Sequence, residues 1–258
     1  MKQQLIIPMS GLGSRFVRAG YSDPKPLIKV HGHPMIEWVL RMFPGEDDPI
    51  FICRKDHIEQ TPMQEILTRL KPKGRIVVIE GAKLGPVAAL LAAENDLDDH
   101  RPALVTYCDY YMRWNYRGFL NLVRGGEYSG AVPCYTGFHP HLLPEHNLYA
   151  SCRVDEEGNL SEIREKYSFE SDKKKALHSP GVYYFSRGNL LKEYGRRLME
   201  REDSLNGEYY VSMIYNHMVR DGLKVAVPTE IEHFCQWGTP EDLDEYLYWT
   251  NVAGRRGK

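Results

Sequence analysis

The residues that offer chemistry first lie close to the amino terminus. Gly11-Leu12-Gly13-Ser14-Arg15-Phe16 is followed by Pro24-Lys25-Pro26-Leu27. Glycine lets a ligand approach the backbone and tolerates unusual φ, so such a loop can turn successive N–H groups toward phosphate oxygens. Arg15 and Lys25 could then neutralise a polyphosphate from two sides. The prolines flanking Lys25 restrict the backbone that aims it. The loop is no dinucleotide fingerprint, because Phe16 stands where the third glycine belongs, and no G-K-[ST] follows to make a Walker A loop. Its bland alternative is an ordinary turn. Asp109 is the next candidate. It follows an apolar run at 103–107, so it either caps a turn or offers a hard oxygen to a divalent cation. Its position at the carboxyl end of a strand, where open α/β sheets bind ligands, favours the second reading. Glu165-Lys166 ends another apolar-polar segment and reads as an exposed strand end or as an anion contact. His139-Pro140-His141, with Cys134 and His146 nearby, matches no standard zinc spacing and reads as a polar loop. Lys173-Lys174-Lys175 reads as a solvated loop.

The elements that position these residues are legible from periodicity. Gln4–Met9 is a buried strand delivering the glycine loop. Residues 35–43 have helical apolar spacing after Pro34, 49–53 form a strand and Met63–Leu70 a helix. Arg75–Ile79, a helix at 86–93 and a strand at 103–107 complete an alternation. Such alternation implies a parallel, doubly wound sheet with helices on both faces. After about residue 128 the pattern turns β-rich, with strands at 131–135, 150–154, 160–165 and Val182–Phe185 and a hairpin turn at 155–159. Helices at 189–201 and 209–221, a strand at 224–227 and a last helix from 240 to about 249 follow, then a frayed tail at 254–258. The expected organisation is one domain over 1–258, with a nucleotide-binding half at about 1–127 and an acceptor-binding half at 128–258.

Length and composition agree with that reading. A chain of 258 residues fits one large α/β domain, with 42% apolar and 26% charged residues as in ordinary globular proteins. A net charge of −2 supplies no basic field for nucleic acid or an anionic membrane. The longest uncharged stretch that is at all apolar, 128–144, is broken by three prolines, two glycines and two histidines, so no bilayer span is expected. Met1-Lys2-Gln3-Gln4 opens no secretory signal, and a cytoplasmic location is expected. Five scattered cysteines without a C-x-x-C pair argue against a disulfide framework or structural zinc.

Taken in order, these segments resemble the sugar-phosphate nucleotidyltransferases, the nucleotide-sugar pyrophosphorylases that build precursors of capsules and surface polysaccharides. The likeness runs through Gly11-Leu12-Gly13-Ser14-Arg15, Pro24-Lys25-Pro26-Leu27 and His33-Pro34-Met35-Ile36-Glu37. It continues through Gly85-Pro86-Val87-Ala88-Ala89-Leu90, Asp109, Glu165-Lys166, Gly181-Val182-Tyr183-Tyr184-Phe185, Gly207-Glu208-Tyr209-Tyr210 and Gly238-Thr239-Pro240-Glu241-Asp242-Leu243. The resemblance implies the nucleotide-diphospho-sugar transferase fold and a Mg²⁺ cofactor. It implies nucleotide contacts at Ser10, Gly11, Leu12, Gly13, Gly85 and Pro86, catalytic cations at Arg15, Lys25 and Lys166, acceptor contacts at Glu165, Lys166 and Gly181, and a metal ligand at Asp109. Base choice would be set around 10–13 and 83–86. Two departures stand out. Ser10 replaces the usual Ala or Gly, and Gln236 stands where many members carry a second metal-binding Asp, so either Mg²⁺ leans on Asp109 and the phosphates alone or another acid such as Glu232 or Glu208 substitutes.

The expected reaction follows from charge. An acceptor phosphate is already anionic, so it needs relief from repulsion and in-line placement more than a general base. The partners are then a nucleoside triphosphate and a phosphorylated small molecule, foremost a sugar 1-phosphate. The alternatives are a CTP-dependent transfer to a non-sugar phosphate, a glycosyltransferase, or a nucleotide-binding module without turnover. A glycosyltransferase would want an Asp-x-Asp motif where the chain has Asp109-Tyr110-Tyr111. The aromatic cluster at 246–249 reads as core or as a contact in a homo-oligomer.

Overall fold

The computed structural model describes residues 2–80, 84–143, 145 and 147–256. Gln4–Met9 is buried along its whole length. It sits inside a seven-stranded sheet whose order is Val225–Ala226, Gly130–Ala131, Val182–Phe185, Ala103–Thr106, Gln4–Met9, Ile50–Arg54 and Arg75–Ile79. Every strand pair is parallel except the two made by Val182–Phe185, which runs against both neighbours.

Strand alternation divides the interior into two layers. Ile6, Ile50, Ile52, Ala103 and Val105 face one cluster, which contains buried residues of the helices Pro86–Ala92, Gly188–Glu200 and Val211–Arg220. Leu5, Ile7, Met9, Phe51 and Leu104 face the other, shared with helices Met35–Arg41, Met63–Leu70 and Tyr116–Arg124. Burial on both faces explains why these strands read as continuous apolar runs. The fold is therefore the mostly parallel, doubly wound sheet expected. Three strands from beyond residue 128 extend this sheet. The same half also forms a three-stranded sheet of Leu160–Arg164, Ser151–Val154 and Leu177–His178.

Three differences from the sequence expectation have physical causes. The strand expected at 131–135 shrinks to Gly130–Ala131, because Pro133 has no N–H for the ladder. Val132 and Cys134 still donate to the carbonyls of Ala226 and Pro228 at 2.9 and 2.8 Å. Tyr110–Trp114 pairs antiparallel with Ile231–Gln236, a long-range ladder that local patterning does not announce. The last helix runs from Pro240 to Arg256, past the expected end near 249. Trp249 is 57% exposed on it, whereas Trp237 is fully buried. Among the described residues no helix is long and apolar enough to cross a membrane.

Candidate active site

The glycine loop follows directly from the carboxyl end of Gln4–Met9. Gly13 adopts a left-handed conformation (φ 61°) and its carbonyl accepts from Phe16 and Val17, starting the short helix Ser14–Arg18. Phe16 anchors that helix. It is 1% exposed and packs in a third apolar cluster with Ile28, Trp237 and Leu243. Arg15 is left exposed and pairs with no carboxylate among the described residues. Pro24 lies just before a 3₁₀ turn over Lys25–Leu27, closed by Leu27 N–H donating to Pro24 O at 2.8 Å. The turn aims Lys25 inward. Its ammonium donates to Asp109 Oδ2 at 2.5 Å and to Gly238 O at 2.9 Å, and lies 5.5 Å from the Phe16 ring centroid.

Two adjoining cavities open at this end of the sheet. The first, about 430 Å³, is lined by residues 10–16, Lys25, Gly85, Pro86 and Asp109. The second, about 380 Å³, is lined by Glu165, Lys166, Gly181, Tyr149 and Gln236. Arg15, Tyr107, Asp109, Glu208, Tyr210 and Gly238 line both. All the expected site residues are thus brought together, in two groups that meet at Arg15 and Asp109. The first cavity also draws in Arg54, which sequence reading missed and which holds Asp56 through two bonds of 2.9 Å. Lys83, expected to bear on base choice, lies outside the described residues.

One glycine of each group is fixed by close approach. Gly85 has φ +90°, and a Cβ there would sit 2.8 Å from Tyr209 N and 2.9 Å from Tyr209 O, both backbone atoms. Tyr209 N–H donates to Leu84 O, and Val87 N–H to Tyr209 O. The 207–210 segment therefore docks on the start of the Pro86–Ala92 helix and brings Glu208 and Tyr210, joined by a hydrogen bond from the Tyr210 hydroxyl, to the shared wall. Gly181 has φ +105°, and a Cβ there would strike the Tyr107 ring at 2.7 Å.

Glu165 is held by the Ser212 hydroxyl, which donates to its Oε1. Burial pushes its carboxyl up to about 7, against the opposing effects of that hydrogen bond and the Lys166 ammonium. A folded value above the unfolded one means stability present at pH 4 and lost as pH rises through about 7. Glu165→Gln should therefore leave the melting temperature nearly unchanged at about pH 4.5 and raise it at about pH 8, where the gain in stability is up to about a few kcal/mol. Calorimetry across that range checks this. A variant equally destabilised at both ends would show that the carboxyl is held as a structural acceptor.

The metal question turns on few groups. Glu232 lies in neither cavity and instead approaches Arg113 at 3.6 Å on an exposed surface, so it is no substitute for the missing acid. Glu208 lines both cavities. A carboxylate not singled out from sequence is Asp242, which lines the second. Its Oδ2 accepts from Thr239 N–H at 3.2 Å and Thr239 Oγ1 at 2.7 Å, the pattern of a helix-capping residue. A Cβ on Gly238 would lie 3.7 Å from Asp109 Oδ2 and 3.9 Å from Asp242 Oδ2, so the glycine keeps an oxygen-lined cradle open. Hard carboxylate oxygens beside a phosphate-sized cavity fit Mg²⁺, which takes one or two carboxylates and completes its shell from phosphates and water. Among the described residues no group of three or more His, Cys, Asp or Glu could hold a metal by itself.

The histidine loop is not the polar loop expected. His139 and His141 are 7% and 8% exposed and pack against Tyr135 and Phe234, behind the wall of the second cavity. Burial drives His141 down to about 3, keeping it neutral, and the Tyr135 hydroxyl and His141 Nε2 share a hydrogen bond of 2.8 Å. His146 lies outside the described residues.

A parallel sheet that delivers a glycine loop to a cavity next to a second one defines an enzyme that handles nucleotides at the carboxyl ends of its strands. The chain belongs to the family of MobA-like NTP transferase domains, whose sequence model matches residues 5–171, and it is a nucleotidyltransferase. No curated protein matches its sequence. Its fold is similar to that of a nucleoside-diphosphate-sugar pyrophosphorylase from Vibrio cholerae RC9, at a TM-score of 0.78 and 19% identity over 95% of this chain and 100% of the other. It is also similar to a UDP-glucose pyrophosphorylase solved with UDP-glucose, at 0.73 and 14% over 98% and 100%. A candidate glucose-1-phosphate thymidylyltransferase from Bacillus anthracis, solved with sucrose, gives 0.70 and 17% over 96% and 95%.

Proposed function

We propose that this chain, acting in the cytoplasm as one domain, transfers a nucleoside monophosphate from a nucleoside triphosphate to a sugar 1-phosphate and releases pyrophosphate. The observation that carries the reading is the pair of adjoining cavities, with Lys25 on the first, Lys166 on the second and Arg15 on both. Arg15 and Lys25 hold the triphosphate and steady the leaving pyrophosphate. Lys166 holds the attacking phosphate, which needs no deprotonation. Gly11, open on its Cβ side with nothing within 4 Å among the described residues, and the neighbouring loop backbone approach the nucleotide, together with Ser10, Leu12, Gly13, Gly85 and Pro86. Glu165 and Gly181 shape the acceptor site. Asp109 is the residue that would hold Mg²⁺, whose contribution when bound is charge neutralisation at the phosphates.

Sugar as the acceptor is supported by the pyrophosphorylases that share the fold. A glycosyltransferase is disfavoured by the two residues after Asp109. The Tyr110 hydroxyl and Thr106 Oγ1 share a bond of 2.6 Å in the core, and Tyr111 stacks on Trp237 at 6.4 Å. The test is pyrophosphate release across a matrix of the four common nucleoside triphosphates with hexose 1-phosphates, phosphocholine and phosphoethanolamine. Release with a hexose 1-phosphate is expected. Release only with the amino-alcohol phosphates would replace the sugar, and no release with any pair would remove the transfer reading.

Lys166→Ala should raise the acceptor KM by roughly 10–100-fold, equivalent to about 1.4–2.8 kcal/mol of a charge-assisted phosphate contact. Nucleotide affinity, measured by calorimetry without acceptor, should stay put. Lys166 is exposed, with φ +52° and its ammonium 5.5 Å from the Tyr210 ring centroid, so the fold does not depend on it. Collapse of nucleotide binding with an unchanged acceptor KM would move Lys166 to the triphosphate site.

A further inference from the structure

One residue on the wall of the second cavity carries an amide that is buried and, among the described residues, unpaired. On the Ile231–Gln236 strand, Cys235 turns into the cluster of Phe16 and Trp237, whereas Phe234 and Gln236 line the cavity. Gln236 is 7% exposed, and neither its Oε1 nor its Nε2 has a hydrogen-bond partner among the described residues. Buried polar side chains in folded proteins almost always have partners, because a desolvated, unpaired amide destabilises the fold. An amide left this way on a cavity wall is built for a ligand that supplies both halves of the pairing.

The chemistry of that ligand can be narrowed. A phosphate only accepts, so it would satisfy Nε2 and leave Oε1 unpaired. A metal ion would engage Oε1 and leave Nε2 unpaired. A quaternary ammonium group satisfies neither. Hydroxyl groups both donate and accept, and a pair of them satisfies both ends of the amide. We propose that Gln236 is a specificity-determining residue that reads the hydroxyl groups of the acceptor, Oε1 accepting from one and Nε2 donating to the same or an adjacent one. The proposal rests on the nucleotidyl-transfer reading and deepens it. At the position where a carboxylate would serve a metal, this chain has a neutral group suited to a polyhydroxylated phosphate ester.

The test combines stability with substrate editing. Gln236→Leu and Gln236→Met are compared with wild type, using the hexose 1-phosphate that wild type turns over best and its mono-deoxy analogues. Free of ligand, both variants should melt at or above the wild-type temperature, because an unpaired amide has been removed. With the parent sugar they should lose 10-fold or more in kcat/KM. At least one deoxy analogue should be 10-fold poorer than its parent for wild type but less than 2-fold poorer for the variants. Penalties that simply multiply for every analogue would overturn the assignment, as would variants that melt lower without altered discrimination. A loss accompanied by a shifted Mg²⁺ half-saturation would move the amide to the metal and overturn it as well. Wild-type turnover of amino-alcohol phosphates alone would reject hydroxyl reading while keeping nucleotidyl transfer. Wild type without any turnover would reject the transfer reading and the role of Gln236 with it.

Discussion

Arg15→Ala and Lys25→Ala should each lower kcat/KM by on the order of 10²-fold or more, because each removes fixed positive charge from the transferring phosphates. Their effects on the free protein should differ. Arg15 is exposed on the loop and pairs with no carboxylate among the described residues, so Arg15→Ala should melt with wild type. Lys25 is 15% exposed in its side chain and joins three elements through Asp109, Gly238 and the Phe16 ring. Lys25→Ala should therefore lower the melting temperature, and Lys25→Met should restore part of it by keeping the stem over Phe16 without restoring turnover. Steady-state pyrophosphate release with circular dichroism separates the two effects. If both alanine variants fold and turn over near the wild-type rate, the glycine loop is a structural turn and the division of cations fails.

Much of the central sheet and its helices was readable because the signals are local. Gln4–Met9, Met63–Leu70, Arg75–Ile79 and Val182–Phe185 have the expected bounds, each being a short apolar or amphipathic run closed by turn or polar residues. The Tyr110–Trp114 strand was not readable, because its partner lies at Ile231–Gln236 and a ladder of that separation leaves no local period. The same distance hid part of the site. Asp242 looks like a helix cap until Gly238 is seen to bring it near Asp109, and the need for glycine at 85 arises from the backbone of Tyr209. Gln236 was visible only as a departure from a family pattern. That its amide is buried and unpaired depends on which way the strand faces, which a one-residue change of register would reverse.

Asp109→Asn should abolish most divalent-dependent activity, and its cause can be separated from loss of the Lys25 contact. Asp109 has two features in the arrangement: its Oδ2 accepts from the Lys25 ammonium at 2.5 Å, and it lines both cavities. The amide keeps the shape and an oxygen that can accept from Lys25, but loses the charge that pairs with the ammonium. If Asp109 acted only by positioning Lys25, Asp109→Asn and Lys25→Met would each cost the same activity, and the double variant would be no worse than either single one. If it also serves the metal, Asp109→Asn should fall below Lys25→Met and shift the Mg²⁺ half-saturation upward, whereas Lys25→Met alone should leave that half-saturation the same or lower it by freeing the carboxylate. The measurement is a Mg²⁺ titration of pyrophosphate release for wild type, both single variants and the double. Robust activity of Asp109→Asn at limiting Mg²⁺ would take Asp109 out of the metal site and leave it the partner that holds Lys25 in place.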